Sequence, residues 1–324
     1  MARISTLPKR LQPMLATLTD APFDDKNWIF EDKYDGFRMV AVTKGGKVTL
    51  YSRNGKIISH NYIEVAKALE GVKGDAVIDG ELVALDKSGV SHFQLLQNAL
   101  RNKAKLQYCA FDLMFQNGED LRSLPLTERK KRLKVILPRH KLIAYSPHRL
   151  ASGTKFFEEA ERRGLEGIMA KRADSKYLSG ARTDNWLKIK TSKRQEVVIA
   201  GFTAPRRTRP FFGALTLALR EGDSWRYIGH VGTGFSHEVL EELHGKLIKL
   251  KVAKSPFGKR TKDEAVTTWV SPQLVAEVKF TEWTSSGEMR HPVYLGLRED
   301  KRAEDVTRER EEHRADKKAR GPRS

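Results

Sequence analysis

Along the first two thirds of the chain, apolar residues come in short runs separated by Gly-, Asn- and Asp-containing turns. Runs of that length and period predict strands. They cover Trp28–Phe30, Met39–Val42, Val48–Tyr51, Ala76–Ile78 with Leu82–Leu85, Tyr108–Phe115, Ile168–Ala170 and Trp186–Lys190. Before them, residues 1 to about 24, with Leu11–Leu15 and Pro22-Phe23, read as an extended arm packed on the first domain. Helical spacing shows at Ile63, Ala66 and Leu69, at 91–102 through Phe93, Leu96 and Leu100, and from Phe156 to Arg163, closing at Gly164. Thr127 followed by Glu128-Arg129-Lys130-Lys131-Arg132 reads as a capped basic helix with a solvated face, and no role is assigned to it.

The pattern changes near 191–195. Beyond it come strands at 197–202, 212–219, 225–231 and 275–280, with one helix at 236–251. Several short strands around one helix predict a small barrel of the oligonucleotide-binding type. The fold class is therefore α+β, with a first domain over 1–192, a barrel over 193–301 and a charged tail over 302–324 that is helical or disordered. No internal repeat is visible.

Charged residues interrupt the apolar runs at a few places. Glu31-Asp32-Lys33-Tyr34-Asp35-Gly36-Phe37-Arg38 reads as strand, tight turn and returning strand. Such a hairpin holds Lys33 at a strand end facing a pocket, with Arg38 reaching the same pocket. A lysine so placed can act as a nucleophile toward phosphate, but alone it reads as a solvated surface residue. Asp79-Gly80-Glu81 puts two carboxylates on one face of a buried strand, where they need a metal, a hydrogen bond or a salt bridge. Asp112 is embedded in the same way, and Phe111 beside it reads as core packing. Glu166 and Lys171 flank a strand with opposite parity, so a bulge or a strand end must intervene if both face one pocket. Lys188 and Lys190 alternate with Leu187 and Ile189 and share a face that invites an anion. Ser52-Arg53-Asn54-Gly55 is a polar turn carrying an arginine.

Composition narrows the class. The net charge of +19 points to a polyanionic partner, most simply nucleic acid. The basic loop Arg206-Arg207-Thr208-Arg209 fits phosphate. One cysteine, Cys109, excludes an internal disulfide and a multi-cysteine zinc site, and reads as a small buried side chain in a reducing cytoplasm. No run approaches the roughly 20 apolar residues of a membrane span, and the start carries no apolar signal region.

Taken in order, these motifs resemble those of the covalent nucleotidyltransferases, specifically the ATP-dependent DNA ligases. Glu31-x-Lys33-Tyr34-Asp35-Gly36-x-Arg38 is similar to the family's nucleophile motif. The stretches at Arg53, Asp79-Gly80-Glu81, Phe111-Asp112, Glu166–Lys171 and Trp186–Lys190 are similar to those that follow it. The nearest likeness is to the ligase module of bacterial ligase D, the end-joining enzyme, through Val231–Phe235, Glu282-Trp283, Arg290-His291-Pro292 and Gly296–Lys301.

The resemblance implies an ATP-grasp-like adenylation domain with antiparallel sheets, then an OB-fold barrel. It implies Lys33 as nucleophile and ATP as substrate. Glu31 would read the adenine amino group, Phe111 would stack on the base, and Glu81 would bind ribose or metal. Glu166 would hold Mg2+ or Mn2+. Arg38, Arg53, Lys171, Lys188 and Lys190 would face the nucleotide. Arg298, Asp300 and Lys301 would orient pyrophosphate. A free lysine is only about 0.1% neutral near pH 7.5, so the nucleophile needs cationic neighbours or a metal. The implied partners are nicked or broken duplex DNA, with Ku and a separately encoded polymerase, for a monomer without polymerase or phosphoesterase domains of its own. The alternatives are an RNA ligase, a capping guanylyltransferase, or a DNA-binding protein without catalysis.

Overall fold

Two stacked β-sheets and the helices on their outer faces build the first half of the protein in the computed structural model. The structure describes residues 12–19, 21–97, 99, 105–205 and 210–309. Leu11, Leu100, the basic loop at 206–209 and most of the charged tail lie outside them. The chain divides into two compact units between Thr191 and Ser192.

Strands are numbered in chain order. The first sheet holds β1 (Leu15–Leu18), β2 (Asp24–Asp32), β9 (Arg149–Ser152), β10 (Gly167–Arg172) and β11 (Arg182–Lys190), in the order β1-β11-β10-β2-β9. The second holds β3 (Phe37–Lys44), β4 (Lys47–Ser52), β5 (Ala76–Leu85), β6 (Lys105–Gln116) and β7 (Glu119–Asp120), in the order β4-β3-β5-β6-β7. A short β8 (Ile143–Tyr145) runs parallel to β6.

Alternation sorts each sheet into two faces. On the first sheet, Phe30, Ile168, Ala170, Leu187 and Ile189 pack with Phe156 and Ala160 of a covering helix, Gly153–Arg162. On the second, Met39, Ala41, Ile78, Leu82 and Leu113 face a core shared with helices Ile63–Leu69 and Leu126–Ile136. Each fully buried Ile or Leu there contributes about 1.5–3 kcal/mol. The inner faces meet through Met14, Val40, Val77, Phe111, Tyr177 and Trp186. Met14 is fully buried, and β1 pairs with β11, so the N-terminal arm is part of the first sheet.

The expected hairpin at Lys33 does not form. β2 pairs with β9 and β10, whereas β3 pairs with β4 and β5. Lys33 to Gly36 is the crossing from one sheet to the other. Gly36 is needed there for close approach: a Cβ would lie 2.2 Å from the Leu82 carbonyl oxygen.

The basic helix also differs from expectation. Its N-cap is Pro125 rather than Thr127, and Arg129 and Lys130 are fully buried. Buried charges survive only where partners compensate desolvation, and both have them. Arg129 holds Asp112 through Nε–Oδ1 at 2.7 Å and Nη2–Oδ2 at 2.9 Å.

The second unit is a six-stranded antiparallel sheet with a helix, His237–Ile248. Its strands are β12 (Arg194–Thr203), β13 (Leu215–Glu221), β14 (Ser224–Val231), β15 (Thr267–Trp269), β16 (Val275–Lys279) and β19 (Val293–Leu297). The order is β14-β13-β12-β16-β19, with β15 on β12, beside a small hairpin of β17 (Glu282–Trp283) and β18 (Met289–Arg290). Residues 302–309 are not a solvated tail: Ala303 and Val306 enter the core, and Arg220 N–H donates to Val306 O.

Candidate active site

The inner face of the first sheet carries most of the candidate residues. In antiparallel pairs, residues directly opposite share a face. Glu31 lies opposite Met169, Lys171 opposite Trp186, Met169 opposite Lys188, and Gly167 opposite Lys190. Glu31, Lys171, Trp186, Lys188 and Lys190 therefore share one face.

Lys33 leaves the end of β2, its backbone N–H bonded to Gly167 O at 3.0 Å. Its ammonium forms an ion pair with Glu166 Oε2. Glu166 reaches it because it sits just before β10, which resolves the parity problem with Lys171. The strand turns there at Gly167, where a Cβ would lie 2.0 Å from Ile189 O, so only glycine fits.

Glu31 is buried between two ammonium groups, with Lys130 Nζ 2.6 Å from Oε1 and Lys171 Nζ 2.7 Å from Oε2. Burial alone would raise its pKa, but the two lysines hold it below the usual carboxylate range. Burial pushes the Lys171 ammonium down, and Lys130 adds to the effect against the pull of Glu31. Lys171 Nζ also lies 4.2 Å from the ring centroids of both Phe111 and Trp186. Phe111 points there because it is the extra residue of a β-bulge: Asp79 pairs with Asp112 and Gly80 with Ala110.

Arg38 is anchored on its own sheet. It grips Asp79 through two contacts of 2.6 Å and donates to Met14 O at 3.3 Å. Despite burial, Asp79 pushes its pKa further up. Tyr177 donates to the same carboxylate at 2.6 Å. Asp79 is thus a salt-bridged structural residue, and Arg38 offers the site a ring contact, 4.6 Å from the Phe111 centroid. Glu81 lies opposite Arg38 and is half-buried, and Arg53 occupies the turn after β4. Cys109, opposite Glu81, is buried, and its thiol is pushed up to about 12 by burial.

Among the described residues, no group of three or more His, Cys, Asp or Glu gathers into a metal cage. What the chain offers beside Lys33 is the hard oxygen donor Glu166. A carboxylate oxygen of that kind would suit a hard divalent cation such as Mg2+ or Mn2+.

Arg298 and Lys301 belong to the second unit, where acidic partners hold them. Arg298 bonds Asp300 at 2.9 Å and Glu277 at 3.3 Å, and Lys301 Nζ lies 2.6 Å from Glu196 Oε1. Burial raises the Glu196 pKa, but Lys301 and Arg298 outweigh it and hold the carboxyl at about 2. A folded pKa below the unfolded one stabilises fully above pH about 4.3 and is lost as pH falls through the folded value. Acidification from pH about 5 to 2 should therefore cost the second unit up to about 3 kcal/mol through this group. Amide exchange of peptides from 192–309 in the full chain checks it. Glu196→Gln should flatten the acid dependence, and an unchanged profile would refute the assignment.

Lys130 and Arg129 were not among the sequence candidates, because a run of five charged residues looks solvated from its letters alone.

Comparison with known proteins bears on all of this. The profile described as ATP dependent DNA ligase domain matches residues 13–190, and that described as ATP dependent DNA ligase C terminal region matches 208–301. The multifunctional non-homologous end joining protein LigD of Pseudomonas aeruginosa is 37% identical over 314 residues, covering 94% of this chain. That of Mycolicibacterium smegmatis is 35% identical over 305 residues, covering 92%. This chain spans only 37% and 40% of their lengths. A solved structure of mycobacterial DNA ligase D complexed with ATP and MES superposes with a TM-score of 0.71 at 34% identity, covering 92% of this chain and 98% of that one. The adenylation fold and OB barrel expected from the sequence are those observed. With a lysine at a strand end beside a carboxylate, and two family profiles spanning both units, the chain belongs to the ATP-dependent DNA ligase family.

Proposed function

We propose that this chain seals 5′-phosphate/3′-hydroxyl breaks in duplex DNA through a lysyl-AMP intermediate on Lys33. The observation carrying the reading is the Lys33–Glu166 pair at the crossing between the sheets, on the side where Lys171, Lys188 and Lys190 align. In the first step the neutral Lys33 amine attacks the α-phosphate of ATP, a P–N bond forms and pyrophosphate leaves. The Lys33 proton leaves with the solvent or the departing pyrophosphate. In the second step the 5′-phosphate oxygen at the break attacks the same phosphorus and the P–N bond breaks. In the third, the 3′-hydroxyl attacks the 5′-phosphate, loses its proton and expels AMP.

Lys171, Lys188 and Lys190 place positive charge where the α-phosphate gains negative charge. Glu31 accepts the adenine amino group and Phe111 stacks on the base. Glu81 takes the ribose or shares the metal with Glu166, Arg53 faces the nucleotide, and Arg298, Asp300 and Lys301 orient pyrophosphate. Glu166 would hold a divalent cation, Mg2+ or Mn2+, which would supply charge neutralisation on the phosphates.

The likeness to non-homologous end joining proteins supports broken duplex DNA ends as the substrate; Ku and an end-joining polymerase are the partners this reading would bring to the chain, in the cytoplasm at the nucleoid. Incubation with α-labelled ATP and Mg2+ should label the protein covalently, and labelled protein should seal nicked DNA. Labelling by GTP instead would favour a guanylyltransferase, and sealing of RNA alone an RNA ligase. Nick binding with no label would leave a DNA-binding protein.

A further inference from the structure

The ammonium of Lys130 is buried without solvent contact, yet none of the chemistry above uses it. An ammonium carries three N–H donors, and burying one unpaired costs several kcal/mol. Two carbonyls accept from it, Ser146 O at 3.0 Å and Phe111 O at 3.3 Å, and its charge is paired with Glu31 Oε1 at 2.6 Å. The Tyr145 ring covers it, with its centroid 4.8 Å away. One side chain thus ties a strand of the first sheet, the bulge of β6 and the segment after β8. Two of its partners belong to the residues assigned to the adenine base.

The geometry points to Lys130 as a positioning residue that sets the preference for a 6-amino purine. Glu31 has two carboxylate oxygens and two cations. Lys171 Nζ lies over the Phe111 ring, 4.2 Å from its centroid, so it must shift if a base is to stack on that face. Lys130 cannot shift, because the Phe111 and Ser146 carbonyls hold it. It keeps Glu31 ionised and oriented while the other oxygen turns to the amino group. It also fixes the backbone of the stacking ring, so the ring and the acceptor keep one spacing. Without it, the carboxylate loses its fixed partner and the amino group its aligned acceptor.

The inference rests on Glu31 reading the base, as proposed above. The test compares ATP with purine-riboside triphosphate, which lacks the 6-amino group, as substrates for covalent labelling of the full chain. In Lys130→Met the advantage of ATP in kcat/KM should fall by about tenfold, which is about 1.4 kcal/mol, mainly through KM for ATP. Lys130→Arg keeps the charge but not the geometry of the two carbonyl bonds and the ion pair, and should lose part of the same advantage. A purely structural lysine would lower the melting temperature and slow both substrates equally. An ATP advantage unchanged within about twofold in folded Lys130→Met or Lys130→Arg protein would overturn the inference. If wild type takes no label from ATP at all, the ligase reading has failed instead.

Discussion

Arginine in place of Lys33 should abolish covalent labelling by ATP while leaving the protein folded. The rate of lysyl-AMP formation is expected to fall by a factor on the order of 10⁴ or more. The reason is that a guanidinium stays protonated throughout the accessible pH range and has no lone pair to attack phosphorus. Charge is nevertheless conserved. Glu166 is nearly buried and pairs with Lys33, so an alanine would remove a charge partner from that carboxylate and lower stability along with the chemistry. Loss of activity in Lys33→Ala would then mix chemistry with stability. Lys33→Arg separates them: its melting temperature should stay within roughly 5 °C of wild type. The variant should still seal nicked DNA supplied with a preformed 5′-adenylate, since that step needs no lysine nucleophile. Label on Lys33→Arg protein, or peptide mapping that puts the wild-type label elsewhere, would end the mechanism.

What the sequence disclosed about this site follows a physical line. Strand identity was readable wherever one face is buried. Trp186 to Lys190 alternates because Leu187 and Ile189 fill the core under the Gly153–Arg162 helix while Lys188 and Lys190 face the other way. Strand pairing was less readable. Asp35-Gly36 carries a turn signal, but β2 and β3 each find partners in different sheets, and nothing local in those residues encodes that choice. The bulge that aims Phe111 depends on its pairing with β5, so the letters at 111 could not reveal it. Buried charges were least readable. Arg38 lies against the Phe111 ring, but its anchor is Asp79, a residue 41 positions away. Lys130 and Arg129 stand in a charged run whose hydration looks obvious until Glu31 and Asp112 are brought beside them. In each case the missing term is a partner distant in sequence.

Among those distant partnerships, the Asp112–Arg129 pair should have the largest effect on stability. Neither residue is exposed to solvent. Beyond its two bonds to Asp112, Arg129 donates to Leu124 O at 2.5 Å and Ser175 O at 2.8 Å, and Leu113 N–H donates to Asp112 Oδ1 at 2.8 Å. Such a pair gains little over a well-packed apolar substitute, but removing one member strands a charge away from water. Asp112→Asn and Arg129→Met should each cost about 3–5 kcal/mol. In a domain of this size that lowers the melting temperature by roughly 6–20 °C. The double variant should cost clearly less than the sum, because no unpaired charge remains, with coupling of at least about 2 kcal/mol. It should not recover fully, since the Leu124 and Ser175 carbonyls lose their donor. Arg129 precedes Lys130 on the same helix, and Asp112 follows Phe111 on the same strand, so the pair clamps the helix to the bulge that aims the ring. The folded fraction of Asp112→Asn should therefore also bind ATP more weakly, whereas a purely global effect would leave it normal. Thermal unfolding of the four proteins and ATP titration of the single variant measure both parts. Additive losses, or single variants costing under about 1 kcal/mol, would show that water reaches this pair.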